Sequence, residues 1–445
     1  MRNMNKTVYI TAVVLYSAFC VCTPVSSAKA QTISLEDAVI LALEHNYDVR
    51  TAALSKQIDQ NLAEPGNAGL LPTVFLDGGA EYLLQNTDIT FPNPEQAPIS
   101  AEDAQTVSYN AAAAVNYTLF NGGRRLYTLR ELESRSEDAR LREKLAMEST
   151  ALTVISRYLE ALRYSDAEAI AREATDLSEE RLRRARENYS FGSFTRLQVL
   201  NAEVDLRTDS ITLAEANLDY VRARRDLFLA IGIPADTALT TDSVFAFTDL
   251  PDKSPLLDKA RSKNTAYLRA RNEVYGAEQA LRATKADRYP TLDAQGGYRY
   301  AFSDFEANFL NTQENYGWNA GLTLRFFLFD GGRVRRNIEN ARLSLRAAEV
   351  EQERAENEIT ALIGNAYDEY ITGRKLLQLS ERNLDLAEAN YDRSRDAFAN
   401  GQITGIELRE AQLNLIRARN EISTRRIAVK LAETGLLFEA GTLLE

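Results

Sequence analysis

The sequence predicts an α+β membrane protein in which a short β-barrel, assembled from several chains, continues into a cylinder of very long helices. Three observations carry this expectation. The chain is two copies of one unit. Each copy holds two strands that alternate apolar and polar residues, and each also holds a proline-free helical stretch several times longer than the roughly 11–12 residues of an ordinary globular helix.

Residues 1–30 read as a targeting segment. Arg2 and Lys6 begin it, Val8 to Val21 is mostly apolar, and Ala28-Lys29-Ala30 supplies a cleavage signal. The alternative is a membrane anchor, but Thr11, Ser17 and Thr23-Pro24 leave it short and interrupted for a span. Removal takes three cations and moves the formal charge from −12 to −15. Cys20 and Cys22 leave with it, so the exported chain has no disulfide framework. Phe19 and Val21, which precede them, do not suit lipoprotein cleavage. Beyond residue 30 there is no apolar run long enough for a transmembrane helix. An acidic chain without a basic stripe is not built to neutralise nucleic-acid phosphates. One histidine, His45, and no mature cysteine leave no catalytic triad and no zinc spacing, so no enzyme, cofactor or metal site is expected.

The duplication is read directly. Leu119-Phe120-Asn121-Gly122-Gly123-Arg124 returns 209 residues later as Leu328-Phe329-Asp330-Gly331-Gly332-Arg333. The same offset pairs Tyr158 with Tyr367, Gly192 with Gly401, Thr195 with Thr404 and Gly232 with Gly441. Upstream the offset is 218, pairing Asn46 with Asn264 and Pro72-Thr73 with Pro290-Thr291. The expected organisation is a first repeat over 31–232, a linker or equatorial segment over 233–254, a second repeat over 255–441 and a tail over 442–445.

Each copy opens with a helix, and His45 stands near the end of the first. β-Hairpins follow over 72–120 and 290–329. On one face stand Val74, Leu76, Ala80 and Tyr82, then Tyr109, Val115 and Tyr117, then Leu292, Tyr298 and Tyr300, then Tyr316, Trp318, Leu322 and Leu324. Asp77, Glu81, Asn110, Asn116, Asp293, Arg299 and Asn319 take the other face. About ten residues per strand suits a tilted membrane strand, with lipid outside and water inside. Alternation alone equally describes a soluble sheet with one buried face. The outer loops, about 85–106 and 303–315, hold acids (Asp88, Glu95, Asp304, Glu306) and no Lys or Arg, and are expected to be mobile and external.

Long helices are expected over 124–189 and 333–398, each near 100 Å at about 1.5 Å per residue. Apolar positions such as Val154, Ile155, Tyr158 and Leu162 recur at helical spacing among dense Glu, Arg and Asp, the pattern of helices packed on one side and solvated on the other. Gly192 and Gly401 end them at matching turns, and return helices follow over 195–230 and 404–437. Four strands cannot close a barrel, and an open edge is not tolerated in lipid. Three chains would supply twelve strands and gather the helices into a hollow cylinder.

The order of these elements, the opening Ile33-Ser34-Leu35-Glu36-Asp37-Ala38, the Gly69-Leu70-Leu71-Pro72-Thr73 that enters the first strand, the two Leu-Phe-x-Gly-Gly-Arg turns and the two tips together resemble the TolC family of outer-membrane efflux proteins. The resemblance covers essentially the whole mature chain. It implies a homotrimeric channel in the outer membrane of a Gram-negative bacterium, a 12-stranded barrel with four strands per protomer and a periplasmic helical barrel. It also implies a periplasmic adaptor (membrane fusion protein) and, through it, an inner-membrane pump, in drug efflux or type I secretion. A periplasmic coiled-coil adaptor or structural protein is the alternative. Two departures stand out. Pro65-Gly66 interrupts the first helix where relatives usually continue it, and any extra equatorial segment is short.

Thr404, Glu407 and Glu410 follow one another at intervals of three, so both carboxylates share a helix face. The resemblance implies that acids here line the periplasmic aperture, with Phe398 and Thr404 beside them. Three chains would then set two carboxylate rings that select cations and gate the pore. Solvated helix glutamates are the other reading. The first copy has Gln198 and Asn201 instead, and Ile403 stands where the family carries a locking arginine. The resemblance also makes Gly192, Thr195, Gly401 and Thr404 candidates for adaptor docking, besides turning the chain.

Overall fold

The computed structural model describes residues 31–445 apart from 94, 236–238, 243–244, 249 and 309. The targeting segment over 1–30 lies outside the described residues. The first copy runs β1 (Gln31–Ile33), α1 (Leu35–His45), α2 (Tyr47–Leu62), β2 (Thr73–Ile89), β3 (Ile99–Phe120), α3 (Arg124–Ser190) and α4 (Arg196–Ile231). A link carrying β4 (Leu239–Thr241) leads to the second: α5 (Lys253–Lys263), α6 (Thr265–Ala286), β5 (Thr291–Phe305), β6 (Thr312–Arg325), α7 (Arg333–Ala399) and α8 (Gly405–Glu439).

The helix that opens each copy is in fact two helices, because an asparagine breaks it. Asn46 and Asn264 sit in extended backbone, where their side-chain oxygens accept from the first N–H groups of α2 and α6. Each side-chain amide also donates to the end of a return helix, Asn46 to Ala230 O at 2.8 Å and Asn264 to Glu439 O at 3.0 Å. Gly232 and Gly441 close the joints. Both have positive φ, and a Cβ would stand 2.7 Å from His45 O in one and 2.5 Å from Lys263 O in the other. Pro65-Gly66 does end the helical part of the first copy early: α2 stops at Leu62, whereas α6 runs 22 residues.

The four long strands form one sheet in the order β2-β3-β5-β6, antiparallel throughout. Among the described residues, its contacts of any extent are among its own strands, and no helix covers it. Leu76 and Trp318 on the apolar face are 81% and 84% exposed, so this is not a soluble sheet over a buried core. Three strand expectations are corrected. β2 and β3 continue to Ile89 and from Ile99, absorbing most of the expected 85–106 loop, and β5 and β6 likewise leave only 306–311 between them. Acids expected in loose loops are instead acceptors. Ser100 Oγ donates to Asp88 at 2.5 Å, and Gln105 N–H to Glu306 at 3.0 Å. At its other end β6 stops at Arg325, short of the expected 328–329.

α3 and α7 are each 67 residues long, and the Gly-Gly pairs that start them take φ of 67–84°. Their exposed faces are laced with ion pairs one turn apart, such as Arg140–Glu137, Arg183–Glu187 and Arg342–Glu339. Each contributes only a few tenths of a kcal/mol. Packing supplies the rest. Val154, Tyr158, Leu159 and Ala161 of α3 are fully buried against α1 and α4, which also bring Ala38, Ala42, Leu227 and Ile231. The Tyr158 hydroxyl lies 2.9 Å from Ile33 O and 2.8 Å from Asp242 O, tying the parallel β1–β4 ribbon to α3, and burial pushes its pKa up to about 12. The second copy has its own core of Ile359, Ile363, Val429 and Leu436. Phe245 and Phe247 of the link meet edge to face at 5.8 Å under Arg426 and Arg374.

In cross-section the molecule is a strip of four helices at each level. Near the sheet the helices run α2, α3, α6, α7; toward the tips they run α4, α3, α8, α7. Replacing Gly441 with alanine adds left-handed strain, about 1–2 kcal/mol, to a backbone collision. Gly441→Ala is therefore expected to lower the unfolding free energy by at least ~2 kcal/mol. Gly435→Ala, whose added Cβ meets nothing within 4 Å, should leave thermal unfolding of the full chain nearly unchanged.

Candidate functional site: the hairpin tips

The two tips are built alike. Gly192 and Gly401 take φ of 77° and 71° with open space around a would-be Cβ, so it is the backbone angle that requires glycine. Ser193 N–H donates to Asn188 O and Gln402 N–H to Ala397 O, both at 2.9 Å, closing the last turn of α3 and α7. Thr195 and Thr404 then cap α4 and α8.

The Thr404-Gly-Ile-Glu407 stretch forms a capping box. Thr404 N–H donates to Glu407 Oε2 at 2.7 Å and its hydroxyl does so at 2.8 Å, while Glu407 N–H returns to Thr404 Oγ1 at 3.3 Å. Gln198 does the same for Thr195, with an N–H···Oε1 bond of 2.6 Å. The donors at Thr404 hold the Glu407 carboxyl below its usual 4.5. The cap's contribution is thus complete above 4.5 and is lost as pH falls through the lower folded value. Glu410 is exposed, and Phe398 is half-buried beside Gly405. Phe398, Thr404, Gln198, Phe194 and Ile406 share a cavity of about 510 Å³ between the two tips of one protomer. Of the sequence-predicted positions, Phe398 and Thr404 line this cavity, whereas Glu407, Glu410, Gly192, Thr195 and Gly401 stand outside its lining.

The cavity's other wall is an ionic clasp that the sequence reading missed. Arg409 of α8 donates bidentately to Asp209 of α4 at 2.7 and 2.8 Å, with both side chains nearly buried. Ser178 of α3 donates to the same Asp209 carboxylate. Arg181 reaches Ser178 Oγ at 2.8 Å and Asp205 at 3.4 Å, yet its Nε has no hydrogen-bond partner among the described residues. Burial, and then Arg409, push the Arg181 pKa down. Farther along the seam, Arg419 bonds Glu173 at 2.6 Å and Ser423 bonds Asp166 at 2.6 Å. A trace of the clasp exists in the sequence. Asp209 and Arg409 stand where the other copy has Ala418 and Leu200, so these charges are unmatched within the repeat.

A sheet with one uncovered apolar face, joined to helices about 100 Å long, defines an outer-membrane channel for efflux or secretion, its helices lying in the periplasm of a Gram-negative cell. The model of the outer membrane efflux protein family matches residues 39–233 and 256–442, one stretch per repeat, and the chain belongs to that family. It is 24% identical to Protein CyaE of Bordetella pertussis, over 94% of this chain and 86% of that protein. It is also 24% identical to the proteases secretion protein PrtF of Dickeya chrysanthemi, covering 94% and 90%, and 21% identical to outer membrane protein TolC of Escherichia coli, covering 94% and 84%. Among solved structures, the fold matches the outer-membrane channel OprN with a TM-score of 0.75 at 17% identity, covering 92% and 89%. It matches the Campylobacter jejuni CmeC channel with a TM-score of 0.76 at 16% identity, covering 92% and 86%.

Removing one side of a buried ion pair strands the other charge and costs about 3 kcal/mol or more. Asp209→Ala is expected to speed hydrogen exchange at the α4 and α8 tips by about 100-fold. Adding Arg409→Ala should cost much less than the sum of the single changes.

Proposed function

We propose that three copies of this chain close into a channel that a periplasmic adaptor engages at the tips, with Glu407 and Glu410 forming carboxylate rings at the periplasmic aperture. One observation carries the assembly: every layer of the strip ends in an unpartnered edge. β2 and β6 leave open hydrogen-bonding edges. At the flanks of the helical layer, α4 exposes Leu197, Val204, Ile211 and Leu218 every seventh residue, while α7 exposes Leu343 and Val350, then Leu379 and Leu386, at the same spacing. On α2, Tyr47, Leu54 and Ile58 are likewise bare. Seven-residue stripes are seams for another helix. Stripes on opposite flanks suit a head-to-tail contact that closes into a ring. Twelve strands and a continuous helical wall follow from three such copies.

Gly192, Thr195, Gly401 and Thr404 form the rigid, solvent-facing turns that an adaptor would meet, and an inner-membrane pump would deliver cargo through that adaptor. The kinship with PrtF, whose name is that of a protease-secretion protein, supports polypeptide cargo alongside efflux. Conduction needs no covalent chemistry. The Arg409–Asp209 clasp, which holds the second return helix to the first hairpin, supports a closed resting state.

Val204→Glu places a charge in the middle of an apolar seam. It is expected to abolish the heat-modifiable trimer band seen on gels run without boiling and lost with it; an unaltered trimer band would remove α4 from the contact. Glu407→Gln/Glu410→Gln is expected to lower cation preference in planar bilayers while leaving the tip folded, because Gln198 already shows a glutamine making the same cap. Unchanged selectivity would place both residues outside the aperture.

A further inference from the structure

We infer that the periplasmic end of the barrel carries a built site for the headgroup of an anionic phospholipid in the inner leaflet of the outer membrane. Charge is distributed very unevenly along the sheet. From Thr73 to Gly123 there is no lysine or arginine, and β5 holds only Arg299. Cations gather instead where the strands meet the helices, at Arg124, Arg125, Arg282, Lys285, Arg288 and Arg333. At this level Phe120, Tyr127 and Tyr289 wall a pocket of about 300 Å³ whose other lining residues include Arg282 and Lys285. Gly122 forms its floor, since a Cβ there would meet the Tyr289 ring and Ala286 O at 2.8 Å.

The pocket lies on the lipid side. A bulge after Thr118 brings Phe120 opposite Leu292, and Leu292 shares its face with Tyr298, which meets Trp318 edge to face. Arg125 stacks over Tyr117 on the same face, 5.0 Å from the ring centre. The pocket also sits at mid-strip. It is built from the ends of β3 and α6 and the start of α3, all central elements, so closing the ring at β2 and β6 leaves it uncovered. Lys285 is exposed and has no ion pair among the described residues; Arg282 has only a loose one, 3.7 Å from Glu278. An aromatic-walled cleft with two available cations, continuous with an apolar wall, fits a phosphate headgroup whose acyl chains run up past Phe120 and Leu292. The inference rests on which face of the sheet is apolar and not on the number of copies in the ring.

The test is native mass spectrometry of the full chain extracted in mild detergent, with phosphatidylglycerol or phosphatidylcholine added. Wild-type protein should retain phosphatidylglycerol in preference, at up to one lipid per protomer. Arg282→Gln/Lys285→Gln should lower that retention about 25-fold, at about fivefold per cation. Arg346→Gln/Arg354→Gln, an equal charge loss about 20–30 Å down α7 from the sheet, should leave it unchanged. Equal retention of both lipids by the wild type overturns the site without any variant. Equal loss from the α7 variant reduces the effect to net charge, and displacement by soluble glycerol phosphate makes it a free-anion site.

Discussion

An unpaired strand edge cannot exist in hydrocarbon, because each stranded N–H and C=O there costs several kcal/mol. This single constraint organises the molecule. The sheet ends in two such edges, and the helical layer built on it ends in two apolar flanks in the same left-to-right order. Sheet and helices therefore need the same neighbour in the same position. Satisfying the strands automatically presents the seventh-residue stripes of α4 and α7 to one another, so lipid chemistry at one end of the molecule dictates packing nearly 100 Å away.

The two repeats share a skeleton and differ in what hangs on it. Asparagine caps at 46 and 264, glycine stops at 232 and 441, and threonine caps at 195 and 404 recur because each satisfies helix-end groups that would otherwise be left without partners. Several charges near the tips do not recur. Glu407 faces Gln198 as its counterpart, and Arg409 and Asp209 have apolar counterparts. Duplication thus supplies a stable frame, and the departures from it fall where the two tips converge.

Much of this frame was legible in the sequence, for identifiable reasons. The bounds of the long helices were readable to within a residue because paired glycines and single glycines force the backbone where they stand. The outer halves of β2 and β3 were not, because a register shift between Gln85 and Thr87 and a left-handed Asp103 break the alternation that marks a strand. The β1–β4 ribbon pairs segments about 200 residues apart through three residues each, too few to leave a pattern. The clasp was hidden for a similar reason: only the packing of α8 on α3 brings Arg409 to Asp209. Glu407 illustrates a different limit. Its Thr-x-x-Glu signature announces a helix cap, and the carboxylate is indeed folded back to make one, whatever field it adds to the lumen.

The Tyr158 tie fixes each first hairpin near its middle, 32 residues from Ser190, and so about 50 Å from the tip. For a helix pair of that length, any rigid-body tilt about the tyrosine is magnified at the tip. A tilt of only about 5° at the pivot sweeps the tip through roughly 4 Å, more than the reach of a hydrogen bond. Freeing the far end therefore asks little of the fulcrum, and the buried cores beside Tyr158 can stay intact while the free end swings.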